Sequence, residues 1–297
     1  MVSVADNSQV RALLYRWLTK QVPPEKLDWL SGKLEQLAKE HSERLLFTTF
    51  SAVPRYIGKA DLQLDEDDVS AAESARSGWM PQQWSLDQVG RSLLLLSLSS
   101  EDSDLYHARI EKLIGAADVS DQIALNQCLP LFPHPERFVS RAAEGLRTSI
   151  DAVFNVIVLD NPFPGDYFSQ ETWNQMVLKA VFVGSQLHRI QQLDERANAE
   201  LARMLLDYAH ERWAAKREVT PELWRPVGPF LNEQGLSDLE QVFEKSDKVQ
   251  RLAAALACTQ SSLPSAKAMM ERYPDVREEV EIGQLNWSRF SEQYLAT

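Results

Sequence analysis

Apolar residues recur at spacings of three and four along nearly all of this chain, and that periodicity limits the possible folds more than any other feature. "QVRALLYRWLTK" puts Val10, Leu13, Leu14 and Trp17 on one side. After Pro23-Pro24, "EKLDWLSGKLEQLAKE" repeats the stripe through Leu27, Leu30, Leu34 and Leu37. Residues that return about every 3.6 positions share a face only on a helix, so each such segment has to cover that face with a neighbour. Helix starts are predicted at Ser85 before "LDQVGRSLLLLSL", Ser169 before "QETWNQMVLKAVF", Thr220-Pro221 before "ELWRPV", and Ser237 before "DLEQVFEK". Each places a side-chain oxygen near the unpaired amides of a first turn. Glu240, three residues after Ser237, completes the pattern of a capping box.

Strand signals are thin. No run of period-two alternation is bounded by turns, and neither Asn-Gly nor Asp-Gly occurs. "AVFNVIVLD" has a strand-like composition, but it prolongs the stripe Val139, Ala143, Leu146, Ile150, Phe154, Ile157. One long helix stopping at Asn161-Pro162 is therefore expected. Connections such as "VPP", "YIGKADLQLDEDD" and "VGPFLNEQG" are short, which predicts successive antiparallel hairpins. The expected fold is all-α, an irregular α-solenoid-like stack of helix hairpins, although no strict repeat of fixed period is present. Residues 1–230 read as one helical domain, and 231–297 as a C-terminal helical extension packed on the same body.

A net charge of −12 over 297 residues argues against nucleic acid or an anionic membrane surface as the main partner. The two cysteines, Cys128 and Cys258, lie far apart in apolar segments, as suits a reducing cytoplasm and not a disulfide framework. Met1–Glu40 lacks the apolar core of a signal peptide. The longest greasy run, Leu93–Leu98, is too short to span a bilayer. A cytoplasmic protein without membrane insertion is expected.

Several chemistries drop out early. The 11 glycines never lie closer than Gly228 and Gly235, so neither type of phosphate-cradling loop can form. Gly-x-Ser-x-Gly is absent as well. Asp207 and His210 sit three apart in "LLDYAHERW" and resemble a carboxylate-x-x-His metal half-site. Arg196, Glu200, Arg203, Asp207 and His210 also form one polar stripe, and a solvated face with intrahelical ion pairs is the plainer reading. His41, His107, His134 and His188 show no matching partner pattern. Lys179, inside the apolar run "ETWNQMVLKAVFVG", is either a snorkelling lysine at the polar edge of a buried helix or a base or nucleophile of lowered pKa.

Arg55 and Lys59 precede the acidic run Asp65–Asp68. They either clamp an anion or answer the negative end of their own helix while the acids cap the next one. Arg147 lies at the edge of the Ala143–Ile150–Phe154 stripe, where pairing with a buried carboxylate of another helix is expected. Most of the eight tryptophans, Trp213 and Trp224 among them, are expected as core anchors, with an aromatic pocket as the alternative.

The segments "TFSAVPRYIGKADLQL", "QVGRSLLLLSL", "LPLFPHPERF", "RAAEGLRTSIDAVFNVIVLDNPFPGDYF", "WNQMVLKAVFVGSQLHRI" and "LARMLLDYAHERWAAKREVTPELWRPVGPF" together resemble the EboA family from about Val10 to Phe230. The resemblance implies an operon of secondary metabolism whose other products are similar to a UbiA-type prenyltransferase, metal-dependent hydrolases, an isomerase-like barrel and a dehydroquinate-synthase-like enzyme. It carries over no catalytic residue and no cofactor. The expectation is an accessory protein that binds a pathway metabolite or a partner enzyme through Arg55, Lys59, Arg147, Asn174, Lys179, Asp207 and His210. The rival is an enzyme of unrecognised type that uses Lys179 or the Asp207/His210 pair.

Overall fold

The computed structural model describes residues 5–40, 42–281 and 285–295. Among them there is no β-strand, only one isolated antiparallel bridge between Asp61 and Ser85. The fold is all-α, as the periodicity predicts. His41 lies outside the described residues. The chain forms two compact units, residues 1–168 and 169–297.

The first unit contains α1 (Asn7–Gln21), α2 (Pro24–Glu40), α3 (Glu43–Tyr56), α4 (Glu66–Ala75), α5 (Leu86–Leu96), α6 (Ser103–Ala116), α7 (Val119–Gln127), α8 (Val139–Gly145), α9 (Asp151–Val158) and α10 (Phe163–Tyr167). Its centre is α5, whose residues from Leu86 to Leu96 are all buried except Gln88. A helix buried on nearly every side has to be surrounded, its polar Asp87 and Arg91 included, and α1, α3 and α7 pack on α5. Gly90 allows α3 its close approach, since a Cβ there would lie 3.0 Å from Val53 Cγ1. Ser85 starts α5 as predicted, with its backbone N–H donating to Gln88 Oε1 at 2.7 Å. Asp65 caps α4 by accepting the Asp68 amide at 2.8 Å, the capping role read for the acidic run.

The long helix expected through "AVFNVIVLD" is broken. After α8 the chain turns through short bonds, Arg147 N–H to Glu144 O at 2.9 Å and Thr148 N–H to Gly145 O at 3.2 Å. Ile150, placed on the buried stripe by its spacing, is exposed. The turn lets α9 fold back on α8, and Gly145 makes room because a Cβ there would lie 2.6 Å from Ile157 Cδ1. Spacing counted straight through a two-helix hairpin imitates one helix.

The second unit contains α11 (Gln170–Val183), α12 (Ala199–Ala214), α13 (Trp224–Val227), α14 (Glu233–Lys245), α15 (Lys248–Gln260), α16 (Pro264–Met270), α17 (Pro274–Glu281) and α18 (Trp287–Tyr294). Here α15 is central, buried from Leu252 to Cys258 and packed by α13, α14, α16, α17 and α18. Of the helices after Leu231, α15 packs on α13, and the others pack on α15. Ser169 caps α11 as predicted, accepting the Thr172 amide at 3.2 Å. Thr220-Pro221 opens a 3-10 turn, Pro221–Leu223, that runs into α13. Ser237 is not a helix start. Asn232 caps α14 five residues earlier by accepting the Gly235 amide at 2.9 Å, and Leu236, Leu239 and Val242 carry the buried stripe through Ser237.

Candidate functional site

Arg55 ends α3, and Lys59 follows Gly58, whose φ of 100° turns the chain. Both side chains are exposed and line one hollow of about 360 Å³ with Arg91, Asp118 and Asp121. The hollow sets three cations against two carboxylates, and one of the cations, Arg91, is already committed to an ion pair. Arg91 is buried on α5, where its guanidinium pairs with Asp121 and donates to Phe50 O and Ser120 O, each at 3.2 Å. Burial pushes the Asp121 carboxyl up in spite of Arg91 beside it. Asp118 adds a second carboxylate, whose Oδ1 caps α7 at 2.8 Å from the Asp121 amide.

The other candidates do not gather on that hollow. Arg147 is exposed and has no carboxylate partner among the described residues, because the α8–α9 turn carries it off the core. Buried ion pairs of this unit include Arg91 with Asp121 and with Asp87, and Arg76 with Asp166.

In the second unit Asn174 is buried, and both ends of its amide bond Asn198. Asn174 Nδ2 donates to Asn198 Oδ1 at 3.1 Å, and Asn198 Nδ2 donates to Asn174 Oδ1 at 2.8 Å. Lys179 is half-buried on α11, and Trp173, Met176, Val177 and Ala180 of the same helix are buried. Asp207 and His210 face different partners. Asp207 accepts from Arg203 at 2.6 Å, and Arg203 also holds Glu200 at 2.7 Å, so this part of the stripe is a solvated ion-pair face. His210 Nε2 lies 2.8 Å from Oδ2 of Asp238, a carboxylate only 2% exposed. Arg196 precedes α12 and lies over the Trp173 ring, 4.6 Å from its centroid. Among the described residues no three His, Cys, Asp or Glu side chains gather to hold a metal ion.

A second hollow, of about 370 Å³, opens between the end of α12, the turn after it, α14 and the start of α15. Its apolar lining comes from Trp213, Val219 and Val242. Trp213 is half-buried, 6.0 Å from the rings of both His210 and Trp224. Its charged lining includes Lys216, Arg217 and Lys245, with Glu218 and Asp247.

Local backbone chemistry builds this rim. Lys216 adopts a left-handed conformation, φ 56°. Its amide bonds Trp213 O, and the Arg217 amide bonds Arg212 O, both at 2.9 Å. These bonds close the end of α12 in the manner of a C-cap, and a glycine normally takes the left-handed position. Gln250 Nε2 donates to Val219 O at 2.6 Å, which ties the turn to α15. Asp247 caps α15 by accepting the Gln250 amide at 2.9 Å.

Of the lining residues only Trp213 was singled out from the sequence. "WAAKRE" carried a usable signal in its two adjacent cations at a helix end. Lys245 carried none, because only the fold brings α14 beside that turn. Arg91 was legible in principle as an arginine in an apolar helix with Asp87 four residues before it.

A family model described as metabolite traffic protein EboA matches residues 10–228. None of the curated proteins and none of the solved structures matches the chain.

Proposed function

The chain belongs to the EboA family of metabolite traffic proteins, and from that premise we propose that it is an accessory protein that holds a small pathway metabolite without converting it. One observation carries this reading: the hollow at the α12–α14–α15 junction combines an apolar floor with a cationic rim. Its volume falls in the range of about 300–1,000 Å³ usual for small-molecule sites. Serine, lysine and carboxylates are present, but the lining has no histidine or cysteine, and its cations suit holding an anion more than moving a proton. Arg55 and Lys59, on their own hollow in the first unit, remain candidates for a second anion contact, weakened by Asp118 and Asp121 beside them.

In this reading the protein works in the cytoplasm beside the enzymes of a secondary-metabolite operon, a UbiA-type prenyltransferase among them, and passes an intermediate between them. No helix among the described residues is long and apolar enough to cross a membrane, so handling a metabolite at a bilayer would need a partner. The test is mass spectrometry of small molecules released from protein purified natively from cells that express the operon. An anionic compound retained in near-stoichiometric amount is expected. An empty protein, or one that converts an added intermediate to a new mass, overturns the reading.

A further inference from the structure

We infer that the hollow between α12, α14 and α15 selects an anion with a flat apolar body, and that the wall beyond the family match sets this selectivity through Lys245. The inference rests on the metabolite-holding reading and narrows it to a ligand class. Its first support is how this unit spends its cations. Arg203 is tied to Glu200 and Asp207, Arg225 to Asp194, Arg251 to Asp275, Arg272 to Glu240 and Lys248 to Glu279. Lys216, Arg217 and Lys245 make no ion pair among the described residues, and all three line one hollow. In a chain of net charge −12 carboxylates are plentiful, so three cations left outside any ion pair on one hollow suit an anion from outside. The two carboxylates on the lining leave a positive excess, and that of Asp247 is already turned to the Gln250 amide at 2.9 Å.

The second support is backbone strain. Lys216 shares its left-handed φ with His134, Asp160 and Gln192, and of the four it is the one on the rim of this hollow. Glycine would serve the turn better, yet the position carries a lysine on the rim of the hollow. The floor supplies the rest of the specificity. Trp213, Val219 and Val242 give a ligand ring a surface to lie against, which free phosphate cannot use. The turn 213–219 lies inside the family-matched residues 10–228, whereas the facing wall, 241–250, lies outside them. The common turn provides Trp213, Val219 and two cations, and the added wall provides Val242 and Lys245.

Isothermal titration of the full chain with four probes tests this: 1-naphthyl phosphate, neutral 1-naphthol, 1-naphthylmethylammonium and inorganic phosphate. The naphthyl phosphate is expected to bind at least tenfold tighter than naphthol or inorganic phosphate, and the ammonium not at all. Lys245→Ala and Lys216→Gly are each expected to weaken the phosphate ester at least fivefold and leave naphthol unchanged. The Tm of Lys216→Gly is expected to match or exceed that of the parent, which separates lost binding from lost folding. Equal affinity for naphthyl phosphate and naphthol overturns the ligand class while the metabolite-holding reading stands. Tight phosphate-ester binding that survives both substitutions overturns the assignment to this hollow. No binding of any aromatic probe to folded protein removes the hollow as a site, and the reading built on it.

Discussion

Asn174 on α11 and Asn198 at the cap of α12 exchange amide hydrogen bonds of 3.1 and 2.8 Å. The same Asn198 side chain accepts the Leu201 amide at 2.9 Å and donates to Arg196 O at 3.1 Å. Asn174, expected from the sequence among the ligand contacts, supports the start of α12. Asn174→Leu strands polar atoms of Asn198 in a partly buried site, which costs about 1–3 kcal/mol. Urea unfolding should show that loss, and affinity for 1-naphthyl phosphate should be unchanged.

Asp68 is 2% exposed, and its carboxylate takes Arg16 at 2.6 Å and Lys20 at 2.9 Å, clasping α4 to α1. Burial alone would raise its pKa, but hydrogen bonds from Lys20 and Arg16 outweigh that and hold it at about 2. Because the folded pKa lies below the unfolded one, the stabilisation is complete above the ordinary carboxylate range and is lost as pH falls toward 2. Its size is about 2 kcal/mol. Asp68→Asn should therefore be less stable than the parent by about that amount at pH 7, with the gap closing in acid. Denaturant midpoints measured across pH check both parts.

His210 and Asp207 should behave differently on substitution. Asp238 is 2% exposed, so His210→Ala leaves it buried with a hydrogen bond missing and costs about 1–3 kcal/mol. Asp207 is an exposed partner of Arg203, and Asp207→Ala costs at most about 0.5 kcal/mol. Added Zn²⁺ should leave the Tm of the parent unchanged. Equal costs, together with a zinc-dependent rise in Tm, would restore the metal half-site.

Both cysteines are buried, and burial pushes each thiol up to about 12. Thiolate is the reactive form, so the native protein should not react with a disulfide reagent such as DTNB at pH 8. Both thiols should titrate at once in strong denaturant.

The sequence made the helices legible because each had to bury a stripe, and Val10, Leu13, Leu14 and Trp17 on α1 are buried where their spacing put them. It misled where a turn preserved that spacing, as between α8 and α9, since Ile150 keeps the count but faces solvent. The Asp207/His210 pair was adjacent on the helix, and that adjacency concealed a split, because each partner comes from somewhere spacing between the two cannot reveal. The hollow at the α12–α14–α15 junction was hidden for the same reason. Trp213 and Lys216 lie near each other in sequence, but Lys245 joins them only when α14 packs beside the end of α12.

Hydrogen–deuterium exchange of the full chain, with and without 1-naphthyl phosphate, tests most directly that an anion is held at this hollow. Slowed exchange confined to residues 213–219 and 241–250 is expected, and it should vanish in Lys245→Ala. Slowed exchange around residues 51–59 instead, or none at saturating probe, would contradict it.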